Sequence, residues 1–404
     1  MANIQKIEGK KGVSYKLTAF CGYDSSGNQI RRTKTWRPEK GMTARQAEKE
    51  AAFQAELFEE AASRGIPVDS NIRFSEYASR WLDSNKNRFA PITFKRYETL
   101  LVRINKAIGN MKMGRITAMH LGEFYQNLTE ITSETTGRPL SPQTIKHYHR
   151  CVAAILADAT KKQVIPRNVA SREFMNAPKV PKKEPPYLDD EQARRFVALL
   201  LEEEDIRKKA AFVILVYSGC RVGELAGLQW DDCNFEKQTI TIRRSSQFCS
   251  GHGVFTKLPK NETSARTIRM PAVVFEILGD YMSWYDEQKN ILGSKWNDSN
   301  RLFIQWDGKP IMPTVFNKWL ADFVTRHGLP RITPHGLRHT NISLLISNGV
   351  DLRTVANKAG HSRTSTTSDI YSHVIRAKEE EATQVLDDIL TPKNDKVLLL
   401  RKRA

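Results

Sequence analysis

No run of residues approaches the ~20 apolar positions that a membrane-spanning helix needs. The longest, Ala211 to Tyr217, has the length of a core segment. A cleavable leader is missing too, since Met1 to Lys6 leads into Gly9-Lys10-Lys11-Gly12 without an apolar stretch. Together these absences predict a cytoplasmic protein. Cysteine is scarce: Cys21, Cys151, Cys220, Cys233 and Cys249 are odd in number and contain no Cys-x-x-Cys pair, which argues against a disulfide framework and against a zinc ribbon. Internal repeats and low-complexity blocks are absent as well. Acidic residues are outnumbered, 45 Asp and Glu facing 63 Lys and Arg, so the 404-residue chain carries a net charge of +18. Such an excess on a folded chain implies a polyanionic partner. Nucleic acid is the leading reading and an anionic membrane surface the second. A hydrophobic fraction of 40% is enough for a sizeable core. At ~100–200 residues per domain, the length predicts two to three domains.

Apolar and polar residues alternate from Ser14 to Trp36 around Asp24-Ser25-Ser26-Gly27-Asn28, which predicts a hairpin. Lys16, Arg31, Arg32, Lys34 and Arg37 lie on or beside its strands. They read either as a solvated sheet face or as a β-sheet reader of DNA. Thr43 and Gln46 form a capping-box pair ahead of a helix over Ala44 to Ala62. From Phe74 the period becomes helical, with Phe74, Tyr77, Trp81 and Leu82 on one face. Further helices are predicted over Thr93 to Ile108, around Thr117 to Leu128, and from Ser141-Pro142 to about Lys162. Their basic positions, Lys95, Arg96, Lys146 and Arg150 among them, interleave with core residues and face either solvent or phosphates. Four prolines between Asn176 and Tyr187 then exclude a helix and predict an extended connector, whose Lys182 and Lys183 suit a strap lying against a duplex. Helices over Asp189 to Glu204 and Ile206 to Ser218, another after Arg221, and strands at Thr239 to Ile242 and near Ala265 to Met270 follow.

Two segments of this last region carry chemistry. Ser218-Gly219-Cys220-Arg221-Val222-Gly223-Glu224 is a turn opening a helix. It lacks the Gly-Lys-Ser/Thr ending of a phosphate loop, yet Arg221 on a helix's first turn would pair a guanidinium fork with the positive end of the helix dipole. In Thr333-Pro334-His335-Gly336-Leu337-Arg338-His339, Thr333 as N-cap and Pro334 at the first position start a helix that holds His335 and Arg338 side by side. His335 and His339 also have zinc-ligand spacing, but Gly336 stands where a zinc protease has its Glu. No metal site is therefore expected.

Arg221, the His335-x-x-Arg338 pair, Ala359-Gly360-His361-Ser362 and Thr366-Thr367-Ser368-Asp369-Ile370-Tyr371 together resemble the tyrosine recombinase (phage integrase) family in order, spacing and flanking residues. Within that resemblance Arg221 and Arg338 look like the catalytic arginines and Glu224 like the acidic residue supporting the first. His335 looks like the histidine of the His-x-x-Arg pair, His361 like the third-position His or Trp, and Tyr371 like the nucleophile. Leu258-Pro259-Lys260-Asn261-Glu262-Thr263-Ser264-Ala265-Arg266-Thr267-Ile268 is similar to the family's Pro-Lys-Thr…Ser-x-Arg-Thr-Ile pattern, with Lys260 as its lysine. Asn261 departs from the usual Thr, and nearby Lys257 competes for the role.

The resemblance implies a multidomain, mainly α chain with small β-sheets. Its parts are an arm-type DNA-binding domain over residues 1–66, a three-stranded sheet plus helix; a helical core-site-binding domain over 72–175; a linker over 176–187; and a mixed α+β catalytic domain with its tail over 188–404. It further implies site-specific integration and excision of a mobile element through a 3′-phosphotyrosine, with no cofactor. The implied partners are double-stranded DNA at core and arm sites, three further copies in a homotetramer, and an excisionase or host DNA-bending protein, in a nucleoid-associated setting. Strand relaxation of the type IB kind, or a non-catalytic DNA-binding protein on the same scaffold, are the alternatives.

Overall fold

A computed structural model describes residues 3–9, 12–23, 29–38, 42–63, 72–132, 137–181, 185–257 and 265–360, with isolated positions from 364 to 390. The chain divides into two compact units, residues 1–182 and 183–404, and is mainly α with small antiparallel sheets.

In the first unit, β1 (Asn3–Gly9), β2 (Gly12–Tyr23) and β3 (Gln29–Trp36) form an antiparallel sheet in the order β1-β2-β3. Helix α1 (Ala44–Ser63) packs on it because Ala47, Ala51 and Ala55, one turn apart, give a smooth stripe that meets Tyr15 and Leu17 of β2. Register decides where the basic residues go. Leu17 stands opposite Lys34, so this basic position shares the α1 side of the sheet. Lys16, opposite Thr35, and Arg31, opposite Phe20, lie on the other side. The charge is thus split between two faces.

A second core of the same unit gathers α2 (Phe74–Ser84), α3 (Pro91–Ile108), α4 (Ala118–Glu130) and α5 (Pro142–Lys161) around Phe74, Trp81, Ile104, Leu121, Val152 and Ile155. Helix α3 begins earlier than the predicted Thr93, because Pro91 at its first position has no N–H to leave unpaired. Thr117 and Ser141 cap α4 and α5 by accepting from His120 N and Thr144 N.

The second unit is built round α7 (Ile206–Ser218), whose residues Ala210 to Leu215 are all buried. Packed about its core are α6 (Asp190–Leu201), α9 (Ala272–Leu292), α10 (Thr314–Arg326) and α11 (Pro334–Ser347). The short α8 (Val222–Gly227) follows α7, and α12 (Leu352–Ala359) follows α11. One sheet runs β4 (Cys233–Asn234), β5 (Thr239–Ile242), β8 (Arg266–Arg269), and a separate ribbon pairs β6 (Ser245–Cys249) with β7 (Gly253–Lys257). The sequence alone predicts no strand for this ribbon. It closes on Ser250 to His252, with Gly251 and Gly253 at φ of 86° and 71°, conformations that glycine adopts freely. Among the described residues no helix is long and apolar enough to cross a membrane.

Candidate active site

The site begins where α7 stops. Gly219 adopts φ 63°, ψ 21°, the left-handed cap that ends a helix, and a Cβ there would lie 2.7 Å from Asn341 Oδ1. Asn341 in turn donates to the last carbonyls of α7, Val216 O at 2.7 Å and Tyr217 O at 3.2 Å. The turn delivers Arg221 to the N-cap of α8. There Glu224 Oε2 accepts the Arg221 backbone N–H at 2.9 Å and Oε1 accepts its Nη1 at 3.0 Å. The Arg221 side chain stays 46% exposed, with one nitrogen committed to Glu224 and its outer face open to a ligand.

Arg338 reaches the same turn from α11. It is 1% exposed, donates Nη1 to Gly219 O at 2.8 Å, and so ties α11 to the α7–α8 junction. Thr333 Oγ1 accepts Gly336 N at 3.1 Å and starts α11 as its sequence predicts. His335, one turn before His339, meets that ring edge-to-face with centroids 4.5 Å apart. Although His335 is exposed as a residue, desolvation of its ring, then the charges of Arg338 and Arg221, hold its pKa below the ordinary imidazole value. Burial and two nearby cations therefore all disfavour the protonated ring. A neutral imidazole beside a doubly cationic surface can accept a proton while an anion binds.

Glu224 has a second partner that sequence reasoning did not single out. Arg266 of β8 donates Nη2 to Oε2 at 2.7 Å and Nη1 to Oε1 at 3.3 Å, and its Nε reaches Lys358 O at 2.8 Å. Burial alone would raise the Glu224 pKa; the Arg266 fork and the Arg221 contacts outweigh it and hold the carboxyl below its usual range. The signal was there: Ile240 pairs with Ile268 and Ile242 with Arg266, so the period of two puts Arg266 on the inner face of its strand. Gly360, at φ 69°, packs on the same guanidinium, where a Cβ would come 2.7 Å from Nη1.

The structure thus brings Arg221, Glu224, His335 and Arg338 together. Lys260, His361 and Tyr371 lie outside the described residues, as do Lys182 and Lys183. Lys257 ends β7, three residues before Lys260 in the sequence. In the helical core of the first unit, Arg96 of α3 and Arg150 of α5 both act on His147, and Lys146 and Arg150 on His149. Arg150 is thus near both histidines, with Arg96 and Lys146 each near one of them. No group of His, Cys, Asp and Glu suited to a metal occurs among the described residues.

A family model described as Phage integrase family matches residues 186–378, and one described as Phage integrase, N-terminal SAM-like domain, matches residues 73–129. The chain belongs to the phage integrase family. It is accordingly a tyrosine recombinase, an enzyme of site-specific recombination. The ICEBs1 integrase of Bacillus subtilis is 26% identical to this integrase over 96% of the chain and 100% of its own length. The tyrosine recombinase XerC-like protein of Caldanaerobacter subterraneus is 25% identical over 93% and 96%. Among solved structures, the Tn1549 transposon integrase in complex with a circular intermediate DNA superposes with a TM-score of 0.64 at 19% identity, over 77% of this chain and 99% of that one. That likeness establishes the fold of the recombinase.

One consequence is measurable. Arg221 and Arg338 both lower the His335 pKa, so single-turnover cleavage should fall only as pH drops below the ordinary imidazole value of ~6.5. Replacing Arg221 with glutamine should move that acid limb to higher pH. A limb that stays in place, read from single-turnover rates across pH, would separate His335 from the rate.

Proposed function

We propose that this recombinase integrates and excises a mobile element by cutting and rejoining double-stranded DNA through a 3′-phosphotyrosyl intermediate. The observation that carries the reading is the convergence of Arg221 and Arg338 on His335, whose protonated form burial and the two guanidiniums disfavour. Two guanidinium forks suit the non-bridging oxygens of a phosphodiester, where charge builds in the transition state. Tyr371 Oη attacks phosphorus and its proton passes to His335, which relieves the handicap of a phenol whose pKa is ordinarily near ~10. As the Oη–P bond forms the P–O5′ bond breaks, and Lys260 or Lys257 protonates the departing 5′ oxygen, while His361 donates to a phosphate oxygen. The phosphotyrosine retains the bond's energy. A 5′-hydroxyl from another strand then reverses these steps without ATP.

Each further region has a role in this reading. Arg96, Lys146 and Arg150 meet the core-site backbone, and the first sheet, through Lys16 and Arg31 on its uncovered side, meets arm sites. Removing residues 1–65 should weaken arm binding and leave core-site cleavage intact. Equal arm affinity in a gel-shift titration would contradict that role. Strand exchange needs four active sites, which a homotetramer supplies. A groove of about 610 Å³ lined by Leu201, Val216, Leu344, Leu345 and Lys358 suits the exposed apolar stripe of Leu386, Ile389 and Leu390 from a neighbouring copy. An excisionase or host DNA-bending protein would set the direction of the reaction.

The test is a two-site plasmid carrying candidate element junctions, incubated with the full chain in the absence of metal and ATP. Recombinant products are expected. Supercoil relaxation without recombinants would favour the type IB alternative instead.

A further inference from the structure

The β6–β7 ribbon ends at one candidate lysine, Lys257, and leads into the segment that carries the other, Lys260, and a buried arginine helps attach it to the rest of the second unit. Strand β6 lies directly on α8, the helix that has Arg221 at its N-cap. A Cβ on Gly223 would come 2.6 Å from Ser245 Oγ and 2.9 Å from Ser246 O, and one on Gly227 would come 3.0 Å from Arg244 O. Strand β7 pairs with β6 and ends at Lys257. Arg301, from the extended segment after α9, bridges the two parts: Nη1 donates to Gly227 O at 2.6 Å at the end of α8, and Nη2 donates to Thr256 Oγ1 on β7. Thr256 is the residue before Lys257.

Arg301 is itself held firmly. It is 9% exposed, its backbone bridges to Gln229, and the next residue donates Leu302 N to Leu228 O at 2.9 Å. On its other side Asn300 donates to Asp231 Oδ2 at 2.9 Å. The neighbouring Asp232 anchors the start of the ribbon by accepting from Arg244 Nη1 at 2.6 Å. A planar fork fixed at its root can set the distance between the two elements it bonds.

We infer that Arg301 is a positioning residue that holds the lysine-bearing end of the ribbon in register with α8, and so aligns the proton donor with the phosphate bound by Arg221. The inference rests on the reading that a ribbon-loop lysine protonates the 5′ oxygen, and it does not depend on whether Lys257 or Lys260 does so. The step that depends on Arg301 is leaving-group protonation, since α8 keeps its separate anchors in the Glu224 contacts and the packing on β6. Loss of Arg301 should therefore matter only when the leaving group needs a proton.

A substrate in which sulfur replaces the bridging 5′ oxygen isolates that step, because a thiolate, whose thiol has a pKa near ~8.5, departs without protonation. Single-turnover cleavage by the full chain at saturating protein would be compared on oxygen and sulfur versions of one nicked duplex. Arg301→Met and the exposed, conservative Thr256→Val would be assayed beside Lys257→Ala, Lys260→Ala and Arg221→Ala. On the oxygen substrate Arg301→Met should slow cleavage by up to about a hundredfold, the cost of an ångström-scale misplacement, and Thr256→Val by less. On the sulfur substrate both should regain the wild-type rate together with one of the lysine variants, while Arg221→Ala stays slow on both. Rescue of a lysine variant while Arg301→Met and Thr256→Val remain equally slow on both substrates would overturn the role of Arg301 alone. Failure of sulfur to rescue either lysine variant would instead remove the lysine reading, and the positioning role with it.

Discussion

Arg221→Ala should slow strand cleavage by about 10³–10⁵-fold, the range that arginine fingers supply to phosphoryl transfer elsewhere, while DNA affinity and thermal stability stay close to wild type. The separation of effects follows from exposure. The Arg221 side chain is 46% open to solvent and makes one short ion pair at 3.0 Å, so its removal leaves no cavity in the core. Single-turnover rates on a nicked duplex, with gel-shift affinity and a melting curve on the same preparation, would check it. A loss of only a few-fold would mean that Arg221 does not contact the reacting phosphate. Arg338 should behave differently: at 1% exposure and bonded to Gly219 O, its truncation should cost stability as well as rate.

The second large effect is on the fold. Glu224→Gln should destabilise the second unit by about 3–5 kcal/mol, because it strips the carboxylate from two guanidiniums while Arg266 remains buried with its charge. Both side chains of the Glu224–Arg266 pair are about a tenth exposed, 11% and 9%, so solvent screening is slight. The pH dependence follows in sign. The folded Glu224 pKa is depressed, so its contribution to stability is complete above the ordinary glutamate value of ~4.3 and is lost as pH falls through the lowered folded value. Urea unfolding of wild type and Glu224→Gln at neutral pH and at acid pH should give midpoints that converge as the pH falls. A constant gap would mean that the carboxylate's charge is not what stabilises the pair.

Much of this site can be read from the residues alone, and the reason is local. Thr333 and Pro334 announce the start of α11, so the i, i+3 relation of His335 and Arg338 follows from helix geometry. Gly219 before Arg221 announces the end of one helix and the start of another. What could not be read is what long-range packing decides. A charged residue ordinarily signals a solvent face, so although the period of two gives the side of β8 on which Arg266 lies, its pairing with Glu224 and the place of the buried Arg301 are decided by distant residues. The ribbon was missed for a related reason: Ser245-Ser246-Gln247 lacks the apolar alternation of a half-buried strand, and its position comes from the glycine face of α8 instead. On the first sheet, composition showed a basic hairpin, but only register revealed that Lys34 shares a side with the α1-packed Leu17 while Lys16 and Arg31 do not.

The most direct test of the central claim is to trap the protein–DNA adduct on a nicked duplex without metal or ATP, digest the DNA to a short remnant, and locate the modified peptide by mass spectrometry. The account predicts a 3′-linked nucleotide on Tyr371 and no adduct from Tyr371→Phe, although that variant binds the same DNA. A nucleotide attached to any other side chain, or an adduct that persists in Tyr371→Phe, would contradict it.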